Sequence, residues 1–583
     1  MEVTMRRVTG AALGIVVMGA LVAPPAQARP QVEKKPVAEG YGGAVATVDL
    51  EASKVALGVL KDGGNAMDAV VAGAAALGVT EPYSAGLAGG GFIVYYDARS
   101  RRVVTVDGRE TAPAKMTAST FEGIPFDQAV TSGLSVGVPG SVAQWDLALR
   151  RHGTISLKKA LKPSVDLARR GFPVDQTFHD QTAANAARFA DFTSTAALYL
   201  PGGAPPPVGS TFRNPDLART YQELADRGPS WLYGGKLGQE IVATVKNPPV
   251  TPGSARNVRP GLMEVSDLRA YRALTPEPTR VRWNGLDVYG MAPPSSGGST
   301  VGEALNILEN VGPAGLSEYL DASRLAFADR NAYVGDPAFV DVPLKQLLSE
   351  DFAKERACLI GDTALPHPAA PGQPDGVYGP CAGPAPAPET KEQQPEGPET
   401  THLVASDRWG NVAAYNITIE QTGGSGIVVP GRGLLLNNEL TDFSFGPAPN
   451  DPNLPAPGKR PRSSMAPTIV LKDGRPLLAV GSPGGATIIT TVLQILLNRF
   501  TFGMSLPDAV AAPRASQRNI AATQAEQAFI DRYGAELTAK GHTFAVTPEI
   551  GAATALEFLK HGKVQAVAEP TRRGGGSALV VRD

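Results

Sequence analysis

The sequence predicts a layered α/β protein built as one body. Helical segments and a strand hairpin precede a proline-rich stretch, and two further hairpins and a helix follow it. Such alternation favours sheets covered by helices over separate domains in a row, although a length of 583 residues alone would suggest three or four domains. Hydrophobic residues make up 43% and charged residues 19% of the chain, which is a soluble globular balance.

The N-terminus has the features of a secretory signal peptide over residues 1–28. Arg6 and Arg7 form a positive region, residues 11–23 are apolar, and Ala26-Gln27-Ala28 fits a small-x-small cleavage site. The apolar run is shorter than the ~18 residues of a transmembrane candidate, and an uncleaved anchor is the alternative. The sequence therefore predicts an exported protein, periplasmic or extracellular, with no stable membrane anchor.

Composition and motif spacing exclude several functions. A net charge of −2 gives no electrostatic reason to expect a nucleic-acid partner. Two cysteines cannot build a disulfide scaffold or a four-thiolate zinc site, and the six histidines show no metal-ligand spacing. The glycine run at residues 86–91 lacks the Lys-Ser/Thr ending of a phosphate loop and precedes a strand rather than a helix. We expect no metal ion and no cofactor.

The first half of the chain reads as two helices, a hairpin and a helical layer. Gly63-Gly64 is a helix-stop signal between the first two helices. Two apolar runs around residues 98–102 predict the hairpin. Residues 137–360 read mostly as helix and are expected to cover the sheet. The predicted elements are helices 48–61 and 65–77, strands 92–96 and 103–107, and helices 141–151, 157–170, 216–226 and 302–309.

Residues 364–399 differ from the rest because ten of these 36 positions are proline. Proline disfavours both ladders and helices, so an exposed, mobile linker is expected. Cys358 and Cys381 bracket its start and could pair in an exported protein, the alternative being two free thiols.

The pattern after the linker becomes strand-like. Segments 402–407 and 412–419 predict one hairpin. Segments 468–472 and 476–480 predict another across Asp473-Gly474, a tight-turn signal, and a helix is expected over 486–498.

A threonine pair stands where the linker meets the first of these strands. A threonine hydroxyl becomes a useful nucleophile when an amine base lies beside it, and a free N-terminal amine is such a base. Thr400 could become N-terminal if its own hydroxyl attacked the preceding carbonyl and the ester then hydrolysed. The alternative is structural, since β-branched residues such as Thr400 and Thr401 favour strand starts.

Seven motifs occur in order along the chain: residues 63–69 (GGNAMDA), 107–113 (DGRETAP), 138–140 (VPG), 400–402 (TTH), 436–438 (LNN), 462–468 (RSSMAPT) and 481–485 (GSPGG). Together they resemble the gamma-glutamyltransferase family of N-terminal-nucleophile hydrolases. The resemblance covers nearly the whole chain after residue 28. It implies a four-layer αββα sandwich and a precursor cut between Glu399 and Thr400 into a large subunit (29–399, ending in the linker 364–399) and a small catalytic subunit (400–583).

The resemblance also implies catalytic roles. Thr400 is the expected processing site and nucleophile, with Thr401 as the fallback. Thr418 stands where the family places a hydroxyl beside the nucleophile. Gly484 and Gly485 would offer backbone N–H groups to the tetrahedral oxyanion.

A pocket for a free α-amino acid head is implied as well. The α-carboxylate needs a cation and hydroxyl donors, and the α-ammonium needs acidic oxygens. The γ-carbonyl would then point toward the nucleophile. The residues implied for the carboxylate are Arg109, Ser463 and Ser464, and those for the ammonium are Glu420, Glu439 and Asp442.

The chain departs from the family pattern near the nucleophile. Val404, Asn416 and Glu420 replace a hydroxyl residue, a frequent Thr and a frequent Asn, and residues 421–426 replace a more aromatic stretch. The extra carboxylate of Glu420 should strengthen ammonium binding. The short segment between Asp442 and Ser463 lacks Tyr and Trp, so we predict a reduced lid, an open site and a preference for hydrolysis over transfer.

Three functions stay open at this point. The leading one is a γ-glutamyltransferase or glutathione hydrolase that takes a small-molecule γ-glutamyl donor and passes the acyl group to water or an amine. The second is a cephalosporin or glutaryl acylase of the same fold. The third is a non-catalytic exported solute-binding protein. Arg109 together with Asp442 favours an amino-acid head over a plain diacid.

Overall fold

The computed structural model describes Glu2 and residues 34–379, 399–446, 448 and 450–582. The predicted signal peptide lies outside the described residues, apart from Glu2, and so do residues 380–398 of the predicted linker. Residues 33–583 cluster as one unit, which agrees with the prediction of a single layered body.

Most of the strands belong to one long antiparallel path. The strands are β1 (Val37–Thr47), β2 (Gly90–Asp97), β3 (Arg102–Asp107), β4 (Phe172–Pro173), β5 (Thr211–Phe212), β6 (Thr279–Trp283), β7 (Leu286–Gly290), β8 (Thr401–Asp407), β9 (Val412–Thr418), β10 (Thr468–Lys472), β11 (Arg475–Gly481), β12 (Ala515–Ser516), β13 (Thr523–Ala525), β14 (Phe544–Val546), β15 (Thr554–Phe558), β16 (Val564–Ala568) and β17 (Ser577–Arg582). Their main order is β3-β2-β9-β8-β1-β16-β15-β11-β10-β7-β6, with β17 also paired to β1.

Strand β1 divides this path into two facing sheets. Its residues 37–40 pair with β16, whereas residues 44–47 pair with β8 and β17, and the register shifts between the two halves. Gly42 and Gly43 have φ of +80° and +122° at this break, a backbone that only glycine adopts without strain. Strands β8 and β9 of the first sheet then pack against β11 of the second, as the two sheets of a sandwich do.

Helices cover both outer faces. They are α1 (Leu50–Lys61), α2 (Ala66–Thr80), α3 (Phe126–Val130), α4 (Ser141–His152), α5 (Leu157–Arg170), α6 (Gln176–Ala190), α7 (Thr193–Tyr199), α8 (Pro215–Arg227), α9 (Lys236–Lys246), α10 (Val265–Ala270), α11 (Gly297–Val311), α12 (Leu316–Tyr333), α13 (Leu344–Leu347), α14 (Glu350–Ala357), α15 (Thr487–Phe500), α16 (Leu506–Ala511) and α17 (Gln527–Ala539). Helix α2 packs on β8 and β9, and α11 packs on β6 and β7. The layer order is therefore helix, sheet, sheet, helix.

Side-chain alternation along β8 and β9 decides where polar groups go. Leu403 and Ile417 join the apolar cluster under α2, while Val404 and Ala414 join the cluster shared with the second sheet. Successive residues of a strand point to opposite faces. Residues with the parity of Val404 and Ala414, including Thr418, therefore face the second sheet.

The linker prediction needs correction where the structure describes it. Residues 364–379 form no helix or strand, as expected, but they are not free of the body. The N–H of Gly372 donates to Asp329 at 2.5 Å, and Arg356 donates to the carbonyl of Ala370 at 2.9 Å. Ala369 is buried at 8% exposure. Buried acidic and basic side chains hold this proline-rich segment against the body, because they form hydrogen bonds with backbone groups that would otherwise need water.

Two other details differ from the prediction or extend it. Residues 279–290 were expected within a helical stretch but form the β6–β7 edge hairpin, whose turn has Asn284 and Gly285 at φ of +52° and +72°; Asn-Gly is the strongest short hairpin signal. Cys358, next to the end of α14, is disulfide-bonded, and Cys381 lies outside the described residues.

Candidate active site

Thr400 immediately precedes β8 and faces Thr418, the last residue of β9. The pairing of Thr401 with Ile417 places Thr400 opposite Thr418. The hydroxyl oxygens of Thr400 and Thr418 are 3.3 Å apart. The Thr400 hydroxyl donates to the carbonyl oxygen of Glu399 at 2.7 Å, and Thr418 donates to the same oxygen at 3.2 Å. The N–H of Glu420 donates to Thr418 Oγ at 2.9 Å, which leaves the Thr418 hydrogen directed at Glu399.

Gly484 and Gly485 form the turn between β11 and α15. Their φ values are +133° and +54°, and a Cβ on Gly484 would stand 2.5 Å from Thr487 Oγ1. Their carbonyls accept the N–H groups of Thr487 and Ile488 in the first turn of α15, at 3.1 and 3.0 Å. Within the described residues, neither glycine N–H donates to a protein atom, so both are available to an oxyanion.

Asn416 connects this glycine turn to the nucleophile strand. Its amide nitrogen donates to the carbonyl of Ser482 at 2.9 Å and lies 3.4 Å from that of Thr401. The hydroxyl of Ser482 accepts the N–H of Ala552 at 3.1 Å. A threonine hydroxyl carries one hydrogen and an amide carries two, so this departure from the family pattern adds a brace between the two halves of the site.

His402 is a buried neutral residue beneath the same turn. Its Nδ1 lies 2.7 Å from Thr554 Oγ1, and its ring would stand 2.4 Å from a Cβ on Gly481. Burial lowers the pKa of His402 to about 3. These contacts fit a structural role for His402.

Arg109 is the centre of a buried charge cluster. Asp107 fixes its backbone by accepting the Arg109 N–H at 2.7 Å. The guanidinium contacts the carboxylates of Glu439 and Asp442. It also donates to the carbonyls of Pro461 and Arg462 at 3.1 and 2.9 Å. The structure therefore joins the expected carboxylate-binding cation directly to two of the expected ammonium-binding acids.

The acidic side of the cluster holds more carboxyl groups than one arginine neutralises. Oxygens of Glu420, Glu439 and Asp442 all lie within 4.8 Å of one another, a spacing that suits a cation. Burial raises the pKa of Glu439 to about 7. Burial, and then the charge of Glu439, raise the pKa of Glu110 well above its ordinary range.

Glu420 reaches this cluster through an unusual backbone conformation. Its φ is +78°, in the left-handed region that costs a residue with a Cβ roughly 1–2 kcal/mol. Gln421 donates to its carboxylate at 3.2 Å. The conformation follows from the turn after β9, whose Glu420 N–H is held by Thr418.

Ser463 and Ser464 are held in place by α11 and by an arginine that the sequence did not single out. The carbonyl of Ser463 accepts the N–H and hydroxyl of Ser296 at 2.7 and 2.8 Å. Arg330 donates to Ser464 Oγ at 2.6 Å and to Ser296 Oγ at 2.9 Å. Arg330 is 1% exposed, so it fixes the serine hydroxyls from within the core.

The segment between Asp442 and Ser463 is pinned along the edge of the cluster. Asn453 donates to the carbonyl of Asp442 at 2.6 Å and accepts the N–H of Arg462 at 2.9 Å. The buried Lys459 donates to the carbonyls of Pro452 and Leu454 at 2.7 and 2.8 Å. The short loop predicted to be a reduced lid is thus folded against its own ends.

Sequence reasoning missed four residues that touch the predicted site. Glu110 stands inside a quoted motif, so its position beside Arg109 was available as a signal. Asn438 likewise stands inside a quoted motif, residues 436–438, whereas Arg330 and Arg573 carried no such signal in their local pattern. Asn438 accepts the N–H of Gln421 at 3.1 Å, and Arg573 donates to the carbonyl of Thr400 at 2.8 Å.

Comparison with known proteins assigns the family. The family model described as gamma-glutamyltranspeptidase matches residues 52–579. The chain belongs to the gamma-glutamyltranspeptidase family. A glutathione hydrolase proenzyme of Bacillus subtilis is 37% identical over 565 residues, covering 94% of this chain and 93% of the relative. An acylase ACY 1 proenzyme of a Pseudomonas species is 35% identical over 92% of this chain and 93% of its own length.

The solved structures agree with this family. The cephalosporin acylase of Bacillus halodurans superimposes with a TM-score of 0.81 at 26% identity, covering 96% of this chain and 99% of that one. The predicted αββα fold of the N-terminal-nucleophile hydrolases is confirmed, as is the prediction of an enzyme of the gamma-glutamyltranspeptidase family. No helix in the described part of the chain is long and apolar enough to cross a membrane.

Proposed function

We propose that this protein is an exported γ-glutamyltransferase or glutathione hydrolase made as a self-cleaving precursor, with Thr400 as its nucleophile. The observation that carries the proposal is the geometry at Glu399–Thr400. The Thr400 hydroxyl lies 2.7 Å from the carbonyl oxygen of the preceding residue, and Thr418 donates to that same oxygen. Proenzyme relatives along nearly the whole chain support the same scheme.

Self-cleavage begins with attack of Thr400 Oγ on the carbonyl carbon of Glu399. Negative charge develops on the carbonyl oxygen, where the Thr418 hydroxyl donates. The C–N bond breaks, the proton from Thr400 Oγ passes to the leaving nitrogen, and an ester remains. Water then adds to the ester, its hydroxyl becomes part of the Glu399 α-carboxylate, and a proton returns to Thr400 Oγ. The products are residues 29–399 and residues 400–583, the second with a free Thr400 amine.

The same hydroxyl then acts on the donor. The free amine of Thr400 takes the hydroxyl proton as Oγ attacks the γ-carbonyl, and this proton passes to the leaving amine. The N–H groups of Gly484 and Gly485 stabilise the oxyanion, donors worth roughly 2.7–4 kcal/mol each in comparable sites. The γ-glutamyl ester is released by water or by an amino acid or peptide amine.

The charge cluster explains recognition of the donor's α-amino acid head. Arg109 pairs with Glu439 and Asp442, and Glu420 adds a further carboxyl group to the acidic side. When a zwitterionic donor binds, its carboxylate contacts Arg109 and the hydroxyls of Ser463 and Ser464, and its ammonium contacts the acids. Each charge of the donor then meets a charge of opposite sign, which avoids burying an unpaired charge on the substrate.

The acceptor is proposed to be mainly water. The loop between Asp442 and Ser463 is short and lacks Tyr and Trp, and Asn453 and Lys459 hold its described residues by hydrogen bonds within the loop and to Asp442. Open access to water favours hydrolysis over transfer to an amine. A transfer rate far above the hydrolysis rate at millimolar dipeptide would contradict this.

An acylase of the same fold is the second candidate, because acylases stand among the most similar sequences and structures. The two functions differ at the substrate head. The acids beside Arg109 suit an α-ammonium, which a glutaryl group lacks, so a glutaryl substrate would leave these acids without a cation from the substrate. Hydrolysis of a γ-glutamyl anilide should therefore greatly exceed hydrolysis of a glutaryl anilide, and the reverse order would favour the acylase.

Denaturing gels after expression test the processing step. The wild-type chain should split into two pieces, and N-terminal sequencing of the smaller one should begin at Thr400. Thr400→Ala should stay whole, while Thr401→Ala should still split. A wild-type chain that never splits would refute self-cleavage and favour a non-catalytic binding protein.

A further inference from the structure

Arg573 contacts both residues of the scissile peptide. Its guanidinium donates to the carbonyl of Thr400 at 2.8 Å and pairs with the carboxylate of Glu399 at 2.9 Å. One planar side chain therefore holds the residue before the cleaved bond and the residue after it. We propose that Arg573 is the positioning residue of self-cleavage, fixing the Glu399–Thr400 peptide against the Thr400 hydroxyl; this rests on the proposed function above.

The Glu399 side chain is recognised by more than one group. Ser84 donates to its carboxylate at 3.1 Å and accepts from Arg573 at 2.8 Å. Glu81 lies 3.3 Å from the same guanidinium. The side chains of Arg573 and Glu399 are 9% and 13% exposed, so water screens these contacts weakly. Two side chains from distant parts of the sequence, Ser84 and Arg573, thus contact the residue that precedes the nucleophile, and Glu81 supports the arginine.

The backbone at Arg573 is held in a costly conformation. Its φ is +53°, and such a value in a non-glycine residue persists only where the surroundings impose it. Glu549 accepts the Arg573 N–H at 3.1 Å. The neighbouring Arg572 is locked by Glu526 and Glu569 at 2.5 and 2.8 Å. The protein therefore imposes a strained backbone to aim this guanidinium at the junction.

The two contacts have different lifetimes. Glu399 belongs to the chain end that cleavage releases, whereas the Thr400 carbonyl stays in the mature site. Fixing both ends of the peptide lowers the number of conformers from which Oγ can attack, and such positioning is where much of the rate of an intramolecular step arises. After cleavage Arg573 continues to hold Thr400.

Pulse–chase of the full chain in its expression host measures the half-time of precursor splitting. Arg573→Ala should lengthen it at least about tenfold, equivalent to about 1.4 kcal/mol. Arg573→Lys should fall between, because an ammonium lacks the planar fork that spans two acceptors. Arg219→Ala is the matched control, since its side chain is 62% exposed, and it should split like the wild type.

Glu399→Gln separates positioning from mere folding. It should slow splitting, because glutamine keeps the size of the side chain but loses the charge that pairs with Arg573. Processed Arg573→Lys should show a lowered kcat through its persisting contact with Thr400. A general folding defect would instead lower Tm in every variant and would reduce the splitting rate and kcat together.

Two results would overturn the role of Arg573. One is splitting of folded Arg573→Ala within about twofold of the control. If Arg573→Ala does not fold, Glu399→Gln and Ser84→Ala test the same contacts instead. The second result that would overturn the role is splitting of both of these variants at the wild-type rate. A wild-type chain that fails to split would remove the proposed self-cleavage itself, which is a different outcome from a wild type and an Arg573→Ala that split alike.

Discussion

Replacing Gly484 by alanine tests the proposed oxyanion donors most directly. The φ of +133° at this position lies where a side chain is strained, at a cost of roughly 1–3 kcal/mol. The added Cβ would also stand 2.5 Å from Thr487 Oγ1. The turn must therefore rotate, and rotation moves the N–H groups of Gly484 and Gly485 off the oxyanion. Losing one such donor lowers kcat by about 100- to 1,000-fold.

The assay uses processed enzyme and a chromogenic γ-glutamyl anilide, with the amount of small subunit determined on gels. The expected result for Gly484→Ala is a large loss of kcat with a small change in KM, because the donors act on the transition state. Gly474→Ala is the matched control. Its φ is +71° and no atom lies within 4 Å of its added Cβ, so it should lose stability by a similar strain while keeping kcat.

A double variant separates the steric contact from the backbone strain. Thr487 donates to the carbonyl of Gly484 at 2.7 Å, and Thr487→Ala removes both this bond and the close contact. Gly484→Ala combined with Thr487→Ala should stay as impaired as Gly484→Ala alone. A Gly484→Ala enzyme whose kcat remains within about threefold of wild type would refute the oxyanion role of this turn.

Three further predictions concern buried titratable groups and the strained glutamate. Because burial raises the pKa of Glu439 to about 7, this carboxyl group is protonated below that pH and binds the donor's ammonium more weakly. In the wild type, kcat/KM for the anilide should therefore rise as the pH increases through 7, and Glu439→Gln should lose this rise. Identical pH profiles would contradict a role of Glu439 in ammonium binding. Glu420→Asn should raise the free energy of unfolding by about 1 kcal/mol, since asparagine tolerates a positive φ. Loss of the negative charge should also raise the KM for the donor about tenfold. A more stable variant with an unchanged KM would place Glu420 outside the ammonium site. Burial lowers the pKa of His542 from 6.5 to about 4. Between these two pH values the unfolded chain binds a proton that the folded chain does not, so the free energy of unfolding falls by up to about 1.4 kcal/mol per pH unit as the pH drops. His542→Gln, which can still hydrogen-bond to Ser317, should show a weaker acid dependence of stability in urea unfolding, and an unchanged dependence would contradict this.

Local pattern was enough for most elements and for the order of the motifs. Helix α2 begins beyond Gly63-Gly64 because Asn65 and Asp68 form a reciprocal cap, with bonds of 3.0 and 2.8 Å. Alternation and an Asp-Gly turn predicted the hairpin β10–β11, which the structure confirms. These features depend on neighbours a few residues apart. The hairpin β6–β7 was missed although Asn284-Gly285 is the same kind of signal.

The candidate site depended on separations of hundreds of residues. Local sequence indicates that Arg109 is basic and Glu439 acidic, but not that they touch, or that the touching pair shares its pocket with Glu110. It also predicts strand at Thr400 without indicating that Arg573 holds its carbonyl. Such contacts follow from how β1 joins two sheets and from which residues the core leaves beside one another.

By itself the sequence determined the layered α/β character and the threonine after the proline-rich segment, and its resemblance to a known family implied the set of residues that could form an amino-acid pocket. Only the tertiary structure decided that residues 364–379 are tied to the body, that Arg109 is already paired with Glu439 and Asp442, and that Arg330, Asn416 and Arg573 brace the site. The physical reason is that propensity and periodicity act over a few residues. The pairing of buried charges and polar groups is settled by the whole fold, because each must find its partner wherever the chain brings one.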